Sequence, residues 1–331
     1  MSIALHDDGA ALAARRDDVE LFRYVYRPTD VPYESPRPYL HPLRTLDGDL
    51  VSAYRPWDHV WHKGIAWSLP HVGAWNFWGG GNYVRELGTY VDLGNDGSMD
   101  HEGFETVGAS RLVEELAWRT PPRASEDGDV TPGDVVVRER RTLGVHVPDG
   151  GEPAVGRAWV LTFRSEMTNV SDGALDIGSP TTNGRENAGY GGLFWRGPRS
   201  FTEGQVLMPG ADGVGVDADA EEARGLRAEW LGFVGHHDGE APGPEGGSRA
   251  STVLMVDPGT NPGGTPQWFV RSVPFACVCP APFFSQEVPF APGQTLAFDY
   301  AVVVADGASD GARAAALAAL GRRVLDETRA A

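Results

Sequence analysis

Five of the nine histidines and five of the ten tryptophans fall between residues 41 and 101. The densest run is Trp57-Asp58-His59-Val60-Trp61-His62-Lys63-Gly64, followed by Trp67, His71, Trp75-Asn76-Phe77-Trp78 and Gly79-Gly80-Gly81. Imidazoles change charge near neutral pH, so they move protons or bind metals. Indoles offer a flat amphipathic surface with one N–H donor. A sugar ring, with its C–H faces and hydroxyl rim, suits that pairing.

Three further stretches carry groups of the same kind. In Asp96-Gly97-Ser98-Met99-Asp100-His101-Glu102, an acid on each side of His101 can orient the ring or raise its pKa. The stretch 180–196 holds Asn183, Arg185, Glu186, Asn187, Tyr190, Trp195 and Arg196. It combines forked donors, a proton acceptor, two amides and aromatic faces. Its glycines do not follow the dinucleotide pattern. His41 and Arg44 lie in the proline-stiffened run 37–45. No Gly-x-Ser-x-Gly elbow is present, which disfavours acyl transfer.

These stretches nominate His59, His62, His101 and Glu186 for acid–base work. They nominate His41, Arg44, Trp61, Trp78, Asn183, Arg185, Tyr190 and Trp195 for holding substrate. On a helix His59 and His62 would share a face, and on a strand they would oppose. The surrounding prolines and glycines favour a loop or a strand end. A divalent metal needs three or four ligands. His41, His71 or His101, with Asp58, Asp100 or Glu102, would have to join the pair.

The elements that must position these groups are strands. Glycine (43) and proline (25) are spread along the chain and punctuate apolar runs of strand length. Examples are 19–26, 135–141, 158–168, 252–256, 267–273 and 295–304. Several alternate with the two-residue period of half-buried strands. One helix is predicted over 309–327, capped by Ser309 or Asp310, with Leu317, Leu320, Val324 and Leu325 on one face. Segments 121–134 and 236–249 read as loops, and no internal repeat is evident. The expected architecture is all-β: one large antiparallel β-sandwich with a C-terminal helix, spanning 19–331 after an N-terminal tail at 1–18.

Composition narrows the partners. The net charge of −18 disfavours nucleic acid and anionic membrane surfaces. No apolar run approaches the roughly 20 residues of a membrane helix. The amino terminus lacks the basic and apolar regions of a secretory signal, so a cytoplasmic location is expected. Cys277 and Cys279 would share one face of a strand as small buried apolar groups. Sandwich edges leave a homo-oligomer open.

Arg-Pro-Tyr-x-His-Pro-x-Arg-Thr at Arg37–Thr45, Asp-His-x-x-His-Lys-Gly at Asp58–Gly64 and Phe-Trp-Gly at Phe77–Gly79 carry a family resemblance. Tyr190-Gly191-Gly192-Leu193, Trp268-Phe269-Val270-Arg271 and the stretch from Pro282-Phe283-Phe284 to Tyr300 add to it. Over about residues 20–306 the chain resembles the bacterial family labelled "PmoA-like", a domain of unknown function. The resemblance implies a place beside sugar-catabolic enzymes. The strand pattern is also similar, at fold level, to the galactose-mutarotase-like supersandwich. The expectation is a carbohydrate-active enzyme of glycoside hydrolase, lyase or epimerase type acting on a small-molecule sugar. Metal-dependent hydrolysis or elimination at the histidines, and a non-catalytic sugar-binding module, are the alternatives.

Overall fold

Alternation along two long central strands sets the architecture. In the strand Ala158–Asn169, Trp159, Leu161, Phe163 and Met167 point into the main core, while Ala158 and Val160 point the other way. The strand Thr295–Asp306 sends Phe298, Tyr300, Val302 and Val304 inward and Ala301, Val303 and Ala305 outward. Both faces of this sheet are therefore apolar, and each needs a cover. The computed structural model describes residues 3–124, 127, 129–148, 152–239 and 249–330.

Two large antiparallel sheets face each other. One has nine strands, running Gly215–Ala218, Gln205–Pro209, Trp230–His236, Ala250–Val256, Thr295–Asp306, Ala158–Asn169, Val135–His146, Arg111–Arg119 and Ser98–Val107. The other has eleven. Its main path runs Ile3–Asp7, Ala11–Arg16, Val19–Val25, Tyr39–Leu43, Ile65–Val72, Gly192–Arg196, Cys277–Ala281 and Gln267–Arg271. Between them the fully buried Trp67 packs on Phe163, Phe298 and Tyr300 of the opposing sheet. The chain is thus an all-β sandwich with a C-terminal helix, as its strand periodicity predicts.

The helix Gly311–Ala330 covers the outer face of the nine-stranded sheet. Asp310 caps it, accepting from the Arg313 N–H at 2.9 Å, whereas Ser309 bonds to Thr252 instead. Leu317, Leu320, Val324 and Leu325 are all buried. No described helix is long and apolar enough to cross a membrane.

The amino-terminal segment corrects an expectation. Residues 3–16 are not a tail: Ile3–Asp7 pairs with Ala11–Arg16, which pairs with Val19–Val25. Ala-Leu-Ala-Ala-Arg-Arg carries little strand propensity of its own. Pairing supplies it, and Ala11 to Ala14 are buried. Segment 121–134 contains a small hairpin, Arg123–Ala124 with Val130–Thr131. Of segment 236–249, residues 240–248 lie outside the described residues.

A polar network is buried with the core. Arg141 donates to Glu139 at 2.8 and 2.9 Å and to the Tyr24 hydroxyl at 3.2 Å. Trp118 Nε1 also donates to Glu139, at 2.8 Å. Tyr24 donates to Glu114, which lies 2.6 Å from His101 Nδ1. Burial of the charges is compensated only because each has a partner.

Candidate functional site

The outer face of the eleven-stranded sheet is closed by loops instead of a helix. In Gly192–Arg196, Leu193 and Trp195 face the core, so Phe194 and Arg196 face outward. In Gln267–Arg271, Trp268 and Val270 face the core, so Phe269 and Arg271 face outward. Cys277 and Cys279 share this outer face as buried free thiols. Burial raises the Cys277 thiol to about 12, which removes it as a nucleophile at neutral pH. Over this floor lies a cavity of about 450 Å³, a volume within the roughly 300–1,000 Å³ typical of small-molecule sites.

Pro56 to His62 builds one wall. His59 N–H donates to the Pro56 carbonyl and His62 N–H to the His59 carbonyl, both at 2.9 Å. These three-residue closures bring side chains at i and i+3 above one another. The His59 and His62 rings stack accordingly, with centroids 4.7 Å apart and planes 27° apart. The pair's spacing therefore has a turn geometry behind it, neither helix nor strand.

The two rings are tuned differently. Arg196 Nη1 lies 3.1 Å from His62 Nδ1. A guanidinium only donates, so His62 Nδ1 is the acceptor and the ring's proton sits on Nε2. Burial, then the nearby His59 and Arg196 charges, hold His62 well below its usual pKa. His62 is therefore a neutral N–H donor near neutral pH. Asp58 Oδ2 lies 3.1 Å from His59 Nδ1, off the direction of a well-formed hydrogen bond. Burial pushes His59 below its ordinary value and Asp58 pushes it back up, with a net lowering. Asp58 is anchored by Arg199 at 2.5 Å, with Arg196 at 3.7 Å. Arg196 itself is fully buried, and its guanidinium lies 3.7 Å from the Phe275 ring centroid.

Aromatic walls complete the cavity. Trp78 packs on Tyr190 at 4.7 Å and edge-on to Phe194 at 4.7 Å. Buried Asn76 fixes the Trp78 turn by accepting from the N–H groups of Trp78 and Gly79, at 2.8 and 3.1 Å. The Trp61 indole lies against Gly80, which adopts φ +73°. A Cβ there would stand 2.7 Å from the ring. Gly80→Ala is expected to cost about 1–3 kcal/mol through overpacking. It should also shift the intrinsic tryptophan emission; a thermal melt and a fluorescence spectrum check both.

His59, His62, Trp61, Trp78, Arg185 and Tyr190 thus meet around one cavity. The other nominated residues lie elsewhere. Trp195 is in the sandwich core, its Nε1 donating to the Val51 carbonyl at 2.8 Å. It is one residue out of phase with the cavity floor. His101 sits on the edge strand of the other sheet, bound to Glu114 and packed on Tyr26 and Phe104. His41 bonds to Ser52 at 2.9 Å and stacks on Tyr54, and burial lowers it to about 4. Arg44 donates to the Gly48 carbonyl at 3.1 Å. Asn183 lies 3.3 Å from His71 in a separate shallow groove. Glu186 is exposed and does not line the cavity. Among the described residues no three His, Cys, Asp or Glu side chains gather closely enough to hold a metal ion. The arrangement fits a metal poorly, since Arg196 occupies the His62 Nδ1 lone pair and sets a positive charge beside it. The sequence reading misses Phe269, Arg271 and Phe275 as lining residues. For the first two the available signal is alternation against Trp268.

Fold and site together define a β-sandwich protein with a loop-roofed, aromatic-walled cavity lined by two histidines and two arginines. The chain belongs to a family of unknown function, DUF6807, whose model matches residues 11–319. The match is to that family, and it does not carry the PmoA-like label that the motifs resemble. No curated protein matches the sequence. Among solved structures, the chain is similar to the galactose mutarotase related enzyme from Lactobacillus acidophilus, at 9% identity and a TM-score of 0.33. That similarity covers 93% of this chain and 99% of the other, and it is too distant to bear on the site.

Proposed function

We propose that the chain is a carbohydrate-active enzyme that cleaves or isomerises a glycoside or an oxidised sugar by histidine acid–base chemistry. The observation that carries this reading is the stacked His59–His62 pair set beside the aromatic walls of a sugar-sized cavity. Trp61, Trp78 and Tyr190 supply flat surfaces for the C–H face of a ring. His59, held below its usual pKa, is unprotonated near neutral pH and takes a proton from the substrate. His62 Nε2–H donates to the substrate oxygen on which negative charge grows. The test is a panel of glycosides and oxidised sugars, with product followed by NMR. Turnover that fails in His59→Asn supports the reading. Saturable binding without turnover assigns the cavity to a sugar-binding module instead.

The reading fixes a pH dependence. With His59 as the base, kcat/KM falls as the pH drops through the His59 pKa, which lies below the ordinary 6.5. Asp58 raises that pKa, so removing its charge lowers it further. Asp58→Asn is expected to move the acid limb of the profile to lower pH. A limb that stays put, or moves up, removes His59 from the role of base.

A further inference from the structure

The cavity wall carries more positive charge than acid–base chemistry needs. Arg271 ends the strand Gln267–Arg271, faces the cavity and is only partly exposed. Its guanidinium lies 5.5 Å from the Phe269 ring, and among the described residues no carboxylate comes within 4.0 Å. Arg185, from a loop, lines the same cavity. It donates to the Tyr90 hydroxyl and lies over the Tyr90 ring at 4.7 Å, also without a carboxylate partner among the described residues. Arg196 lies under His62 with Nε and Nη2 lacking a hydrogen bond. The acid that lines the cavity, Asp92, is exposed and turned to its own backbone, accepting from Gly94 N–H at 2.9 Å.

This pattern runs against the rest of the molecule. Acidic side chains outnumber basic ones 46 to 28, and arginines elsewhere repeatedly find carboxylates. Leaving Arg185 and Arg271 unneutralised in one half-closed space costs free energy through mutual repulsion and desolvation. Burial first, then Arg224 and more weakly Arg185, push the Arg271 guanidinium below its ordinary value, against an opposing pull from Cys277 and Glu221 that does not cancel them. A bound anion offsets that cost, and guanidinium forks match the planar or tetrahedral oxyanions of carboxylate and phosphate.

We infer that the sugar bound in this cavity carries an oxyanion group, a carboxylate or a phosphate, seated between Arg271 and Arg185, with its ring against Trp78 and Tyr190. The inference rests on the sugar reading above and names its substrate class. No neutral sugar needs two unpaired guanidiniums, because hydroxyls are served equally by amides and backbone groups.

The test titrates the full chain, by tryptophan fluorescence and calorimetry, with four kinds of probe. These are neutral hexoses, hexuronates, hexose 6-phosphates and benzoate, an aromatic carboxylate without sugar hydroxyls. The expected result is at least tenfold tighter binding of an anionic sugar than of its neutral counterpart. Salt should weaken that preference, Arg271→Gln should abolish it and Arg271→Lys should partly restore it. Unchanged circular dichroism and melting of both variants separate loss of the subsite from loss of fold. Uronate over phosphate, or the reverse, identifies the oxyanion. Neutral and anionic sugars binding equally, or neutral ones tighter, overturns the inference while the sugar reading stands. Arginine-dependent binding of benzoate without any sugar keeps the anion subsite and overturns the sugar reading. Binding of no probe overturns both.

Discussion

On the sugar reading, His62→Asn is expected to lower turnover by about 10²–10³-fold, the usual worth of one hydrogen-bond donor to a developing oxyanion. Asparagine sets an amide oxygen near the place of Nδ1, so Arg196 keeps an acceptor. What disappears is the Nε2–H. Steady-state kinetics beside a thermal melt checks the separation: kcat falls and the melting temperature holds. Alanine is the harsher change. It leaves a buried guanidinium with one partner fewer, at about 1–3 kcal/mol for the unmet group. Turnover unaltered in His62→Asn would take the ring out of the chemistry and leave it as support for Arg196.

Glu139→Ala carries the largest expected effect on stability. Arg141 and Glu139 are 1% and 0% exposed, and Glu139 takes both Arg141 Nε and Nη2 as well as the Trp118 N–H. Removing the carboxylate strands a buried cation, a loss of about 3–5 kcal/mol. The exposed pair Arg140–Glu105, at 43% and 36%, is worth only about 0–1 kcal/mol. Urea denaturation of Glu139→Ala and Glu105→Ala therefore should give midpoints far apart, with the second close to the parent. Similar midpoints would show that Arg141 finds water or another partner once Glu139 is gone.

Much of the fold is legible in the residue pattern because the long strands alternate cleanly. Trp159, Leu161 and Phe163 read as one face from sequence and form one. Ala11–Arg16 is illegible for the opposite reason: its strand character comes from neighbours on both sides. The site divides along the same line. His59 and His62 are close in sequence, and Pro56 and Gly64 bracket them, so their association follows from a local turn. Arg196 joins His62 across 134 positions, and nothing local announces that bond. Trp195 shows a subtler failure. Its indole is the residue type a sugar site invites, yet the cavity takes Phe194 because the strand phase gives Trp195 to the core. Composition supplies the aromatic rings, and phase decides which of two adjacent ones lines the cavity. His101 and Glu186 have suitable side chains at places that topology keeps apart from the cavity.

The two outer faces of the sandwich are closed differently, one by the helix Gly311–Ala330 and the other by the loops around Trp61, Trp78 and Arg185. A helix packed along a sheet is a permanent lid, since its exchange would expose a whole apolar layer. Loops can be lengthened, shortened or recoloured one at a time while the barrier beneath them stays sealed. Change in the roof would thereby alter the walls given by Trp61, Trp78 and Arg185 while Phe194, Phe269 and Arg271, fixed by the strands beneath, stay in place.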